Sequence, residues 1–174
     1  MTRKKKAFIL FLIIFSFVYI IKTIAKDYTI TITESLPLGI YKLTEAKDIK
    51  VGDIVQFTPS KEEMELIYYR GYLPRYAKTL LKEVAADYSN RNEIEIRQDV
   101  FFKLLYVSGK NYGPILKKDS NGREIEKINL DELKPKNNSE YLLLSPHMKS
   151  YDSRYFGLIR KDQILKKAEL KIKF

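Results

Sequence analysis

The sequence contains no cysteine and a single histidine, His147. The first absence excludes a disulfide scaffold and any thiolate-ligated zinc site. The second excludes every multi-histidine metal site, and a Ser-His-Asp triad would have to be built on His147 alone. Long apolar runs are equally scarce. One occurs, at the N-terminus, and nothing later approaches its length, so a multi-pass membrane protein is not expected. There are no internal repeats and no low-complexity region. The 174 residues suffice for one globular domain of ordinary size plus an extra segment. The formal charge of +10, from 32 basic and 22 acidic residues, invites a nucleic-acid reading, but its distribution argues against one. Arg3, Lys4, Lys5 and Lys6 stand together, while later basic residues are interleaved with acids, as in "KKDSNGREIEK". No basic helix with interleaved aromatics and no nucleic-acid motif is present.

The N-terminal run, "AFILFLIIFSFVYII" from Ala7 to Ile21, carries no charge. If Lys22 snorkels, the run extends to Ala25, close to the roughly 20 residues a bilayer-spanning helix needs. The basic cluster before it places the N-terminus in the cytoplasm. The expected organisation is a basic cytoplasmic segment over 1–6, a single transmembrane anchor over 7–25 and an extracytoplasmic domain over 27–174. A cleaved secretory signal is the competing reading, because Thr23 and Ala25 are small residues ahead of a cut.

The soluble part reads as mainly β. "YTITIT", Tyr28 to Thr33, alternates and is β-branched. "IYKL", "VGDIVQF", "TLLKEVAA", "EIEIR", "VFFKLLYVSG", "YLLLSP" and "AELKIKF" are further strands. Ser60 with Glu63 forms a capping box, so one short helix is expected from there to Arg70, stopping at Gly71. "DSNGRE" is a turn and "LDELKPKNNSE" a polar loop.

Lys82 is the first residue that asks for chemistry. It lies among leucines, valine and alanines, where an ammonium costs several kcal/mol unless it is paired or loses its proton. A neutral amine can activate a serine hydroxyl, and Ser-Lys dyads are a known variant of the nucleophile-base arrangement. The bland alternative is a lysine that faces solvent while Leu81 and Val84 face the core; alternation supports part of it, since Lys82 and Val84 share one face and Leu81 and Glu83 the other. Ser35, in "TITESLPLGIY", directly follows a strand and precedes Pro37, and Gly39 permits an unusual backbone angle. Thr33 can offer a hydroxyl to the same side. For this motif taken alone, an ordinary Ser-Pro-Gly turn is the better reading. In "SYDSRYFG", Asp152 and Arg154 are spaced for an ion pair, and Ser150 and Ser153 could orient an amine. A polar surface turn is the alternative there.

Together these stretches resemble the type I signal peptidase superfamily of Ser-Lys membrane proteases. "ESLPLGIY" is similar to its nucleophile box, "LLKEVAA" to its lysine box and "SYDSRYFG" to its C-terminal box. The likeness is greatest to TraF-type conjugative transfer peptidases, whose nucleophile box reads Ser-Leu-Pro-x-Gly-x-Tyr. "RGYLP" and "GPILKKDSNGRE" also resemble that branch. The resemblance implies a coiled antiparallel β fold with a shallow groove, Ser35 as nucleophile and Lys82 as general base. It implies an oxyanion hole from the Ser35 backbone N–H and Thr33, with Ser150 orienting the lysine and Asp152 and Arg154 bracing the site. No metal or cofactor is implied, and His147 needs no catalytic role. The implied partners are the membrane and an exported precursor, with a conjugative pilin as the suggested substrate, and components of a conjugation or secretion apparatus. Two alternatives stay open: a general signal peptidase for many preproteins, and a non-enzymatic anchored subunit. Two departures from the pattern stand out. A Pro-Gly-Asp turn usually follows the lysine box; here the chain reads "VAADYSNRNEI". Glu83 occupies the position after the lysine, where relatives often carry arginine.

Overall fold

A computed structural model describes residues 3–125 and 128–174. Met1 and Thr2 of the basic segment lie outside the described residues, as do Glu126 and Lys127 of the mixed-charge run. The first element is helix α1, Arg3–Ala25, of 23 residues. Its described side chains are exposed, and its length and composition suit it to cross a membrane or to act as a signal sequence.

Strand β1, Tyr28–Ile30, follows and pairs antiparallel with β2, Gly39–Glu45. The strand is shorter than the alternation to Thr33 suggests. Thr31 is the cause: its Oγ1 accepts from the Gly39 N–H at 2.9 Å and donates to the Pro37 carbonyl at 3.0 Å. The Thr31 N–H still donates to the Gly39 carbonyl at 3.1 Å, but the side chain replaces the Thr31 carbonyl as acceptor of the Gly39 N–H, and the chain bends into the loop that carries Ser35. Gly39 is required for close approach and not for an unusual backbone angle. A Cβ there would sit 2.1 Å from the carbonyl oxygen of Ile172, and Gly39 is not among the residues with positive φ.

Strand β3, Ile54–Phe57, leads into helix α2, Lys61–Tyr69, capped by Ser60 accepting from the Glu63 N–H at 3.2 Å. Then come β4 (Leu80–Ala86), β5 (Ile94–Gln98), β6 (Lys103–Val107), β7 (Lys110–Pro114) and β8 (Glu140–Leu144). Helix α3 (Ser153–Phe156), β9 (Ile159–Arg160) and β10 (Ile164–Lys173) complete the chain. The strands β7 and β9 and the single turn α3 add to the elements read from sequence. The run read as one strand from Val100 begins instead at Lys103. The polar loop contains a 3-10 turn, Leu130–Leu133, whose Leu133 is fully buried.

The architecture is mainly β. A curled antiparallel sheet has the order β1-β2-β10-β3-β4-β8-β9, and β5-β6-β7 forms a second sheet. β8 reads as a continuous apolar run because both of its faces are covered. Leu142 and Leu144 join a core with Ala86, Ile94 and Leu105, while Tyr141 and Leu143 join another with Val55, Phe57 and Val84. Lys82 pairs with Val55 across the β3–β4 ladder, so it lies on the second core's face, one step beyond Val84.

Candidate active site

Strand alternation turns Lys82 inward, and its side chain is almost completely buried. Its ammonium donates to Ser150 Oγ at 2.8 Å. Burial pulls the Lys82 pKa down from 10.5 to about 8, a shift opposed by the Asp152 carboxylate and assisted by the Arg154 guanidinium. The solvent-facing alternative for this lysine is therefore excluded.

Ser35 lies on the loop after β1. Its Oγ meets Thr33 Oγ1 at 3.0 Å, so the two hydroxyls do face one side even though the ladder has already ended. Ser35, Thr33, Lys82 and Ser150 all line one cleft of about 780 Å³. Ser35 and Lys82 are not hydrogen-bonded to each other: the serine hydroxyl is with Thr33 and the amine with Ser150. The segments 29–36 and 76–82 both line the cleft, and each includes strand residues, from β1 and β4.

Asp152 and Arg154 form a fully buried bidentate pair, Nε to Oδ1 at 2.8 Å and Nη2 to Oδ2 at 2.7 Å. This corrects the surface-turn alternative. The remaining guanidinium protons go to backbone. Nη1 reaches the carbonyls of Tyr112 (2.9 Å) and Pro114 (3.1 Å), and Nη2 reaches that of Ser145 (3.2 Å). Arg154 thereby ties the loop after β8 to β7. Gly113 beside it is required by its backbone: its φ is +92°, whereas a Cβ there would only touch Arg154 Nη1, at 3.4 Å. Ser153 does not serve the lysine. Its Oγ accepts from the Leu143 N–H at 3.0 Å and caps the edge of β8.

The departure at Glu83 has a local explanation. Glu83 points away from Lys82 and receives Lys110 Nζ at 2.6 Å and Tyr112 OH at 2.8 Å, which fastens β7 to β4. The turn after the lysine strand is closed by side chains, with the Ser89 N–H donating to Asp87 at 2.8 Å and Asn90 Oδ1 accepting from the Asp87 N–H at 3.0 Å. "RGYLP" and "GPILKKDSNGRE" meet at the cleft rim. Asp119 accepts from Tyr72 OH (2.8 Å) and Arg123 Nε (2.8 Å), with Arg70 Nη1 at 3.6 Å, and Arg123 Nη2 donates to the Arg70 carbonyl at 2.8 Å. Tyr151 stacks on Tyr155 and donates to Glu63 at 3.0 Å. Burial, then the Glu63 charge, raises its pKa, so it stays a neutral phenol. His147 is a loop residue whose Nε2 lies 3.6 Å from Glu34. Among the described residues no cluster of acids and histidine could hold a metal ion. The fully buried Ser145 has one local signal in the sequence, a polar residue ending the apolar run "YLLL".

A curled, mainly β domain with a serine and a buried lysine on one cleft is consistent with a signal-peptidase-like serine peptidase. The chain belongs to the signal peptidase family, peptidase S26, whose family model matches residues 3–173. No curated protein matches it.

Proposed function

We propose that this chain is a membrane-anchored endopeptidase that removes the leader of an exported precursor, with Ser35 as nucleophile and Lys82 as general base. The observation that carries this reading is Lys82 itself: a buried amine with a lowered pKa, held by Ser150, in the cleft that Ser35 lines. A precursor segment lies extended between residues 29–33 and 77–82. Its scissile carbonyl displaces the Ser35–Thr33 contact. Ser35 Oγ attacks the carbonyl carbon as Lys82 Nζ takes the hydroxyl proton. The oxyanion is held by the Ser35 N–H and by Thr33 Oγ1. Collapse of the tetrahedral intermediate breaks the peptide bond, and Lys82 returns the proton to the leaving amine. Lys82 then deprotonates the water that hydrolyses the acyl-enzyme. An amine in place of water would join two ends and give a cyclic product.

The finer reading, a conjugative pilin as substrate, is supported by the Ser-Leu-Pro-x-Gly-x-Tyr pattern at Ser35 to Tyr41. The test is mass spectrometry of a co-expressed pilin precursor with the unaltered protein and with Ser35→Ala. The expected result is a trimmed pilin with the former alone, and loss of one further water indicates cyclisation. Trimming of many unrelated preproteins instead identifies a general signal peptidase. Equal trimming by Ser35→Ala refutes the enzyme reading, and an anchored structural subunit would then be the better account.

A further inference from the structure

The loop from Ser145 to Ser150 touches both members of the proposed pair. At one end Ser150 Oγ accepts from Lys82. At the other, Ser145 Oγ donates to the backbone carbonyl of Ser35. We propose that Ser145 is a positioning residue for the nucleophile, so that a single braced loop sets both Ser35 and Lys82. The inference rests on the reading of these two residues as nucleophile and base.

Ser145 is fully buried, and each of its polar groups has a set direction. Its N–H donates to Asp152 Oδ2 at 3.2 Å, and its carbonyl accepts from Arg154 Nη2 at 3.2 Å. Its Oγ accepts from the His147 N–H at 3.2 Å, which directs the hydroxyl proton towards Ser35. The β4–β8 register, Glu83 opposite Leu144, sets the next residue, Ser145, beside Lys82. Ser145 is therefore held by the sheet on one side and by the buried ion pair on the other. The carbonyl it grips fixes ψ of Ser35, and with it the direction of the Cα–Cβ bond. The other restraints on the nucleophile loop act on neighbouring residues, with the Pro37 carbonyl held by Thr31 Oγ1 at 3.0 Å and by Tyr41 OH at 2.9 Å. Thr33 is two residues away and moves with the loop. Leu36, buried beneath, holds the loop down. The contact of His147 with Glu34 is long and half-exposed.

The experiment uses the full-length protein in detergent micelles and a fluorogenic leader peptide with an Ala-X-Ala junction. Ser145→Ala removes the hydroxyl. Ser145→Cys is nearly isosteric but a weak donor, and with no other cysteine in the chain it cannot form an internal disulfide. For both, kcat is expected to fall on the order of 10- to 100-fold, the scale of a misplaced reacting group. KM should stay within about twofold, and the acid limb of the pH profile should keep its midpoint, because Lys82 retains Ser150. A purely structural role would lower the melting temperature and leave kcat per folded molecule unchanged. A folded variant of either kind with unaltered kcat overturns the proposal. Ser35→Ala run beside them separates the two layers: if it still cleaves, the nucleophile reading fails, and if it is inactive while Ser145→Ala is fully active, only the positioning role fails.

Discussion

Lys82 sets opposing demands on activity and stability. Its pKa of about 8 leaves about a tenth of the molecules with a free amine at pH 7. The rate of precursor cleavage should therefore climb with pH and level off above about pH 8. Stability follows the same group. The unfolded lysine, near 10.5, binds a proton between about pH 8 and 10.5 that the folded one does not, so stability rises with pH across that window. Below about pH 8 the full desolvation cost is present, on the order of 3 kcal/mol. Lys82→Met should abolish cleavage and also remove this rise, as seen in urea unfolding at pH 7 and pH 10.5. Lys82→Arg should be inactive because a guanidinium keeps its proton; activity in that variant would refute the general base. Thr33 offers a separate test. If its hydroxyl holds the oxyanion, Thr33→Val should lower kcat on the order of 100-fold with little change in KM, and Thr33→Ser should keep most of the rate. Equal rates for the two would remove Thr33 from the site. Lys82 is legible in the sequence because its signal is local, a charge within an apolar strand; Ser35 stands out only through the resemblance of its box, since its stretch by itself reads as an ordinary turn. Ser145 is not legible, because its role arises from a contact between residues 110 apart.

Among the elements, the loop and turn from Ser145 to Gly157 carry the most. The buried pair of Asp152 and Arg154 is satisfied only as a set, since the guanidinium also holds the carbonyls of β7 and of the loop. Removing one partner leaves a buried charge without its counter-ion. Arg154→Ala and Asp152→Ala should each cost about 3–5 kcal/mol in urea unfolding. A loss below about 1 kcal/mol would mean that the site is open enough for water to replace the missing partner. Spacing in "SYDSR" suggests this pair, but not its burial. That comes from β7, a strand of Lys-Asn-Tyr-Gly-Pro with no apolar alternation to announce it. The ends of β1 are obscure for a related reason: Thr31 continues the β pattern in sequence, yet spends its hydroxyl on Pro37 and Gly39. Helix α2 is the opposite case. Its cap, Ser60, and its terminator, Gly71, are both local, and they bound the helix within a residue.

At the scale of the whole molecule the decisive question is which side of the membrane holds the cleft. The wall that carries Thr29 to Ser35 begins a few residues after α1 ends at Ala25, so an α1 that spans the bilayer, as proposed, would tether the site close to the membrane surface. Charge decides the direction. Arg3, Lys4, Lys5 and Lys6 flank one end of α1, and Lys22 and Lys26, followed by Asp27, flank the other. With α1 as an anchor, the heavier cluster should remain in the cytoplasm, which would put the cleft on the outer face, where exported precursors emerge. Protease added to right-side-out membrane vesicles should then digest the chain from about Asp27 onward, while inside-out vesicles should protect it. Replacing Arg3, Lys4, Lys5 and Lys6 together with glutamine should weaken or invert this pattern, because Lys22 and Lys26 would become the larger basic flank. Protection of the domain in right-side-out vesicles would overturn the topology, and a mature N-terminus at Lys26 would show that α1 is removed as a signal and that the domain acts without an anchor.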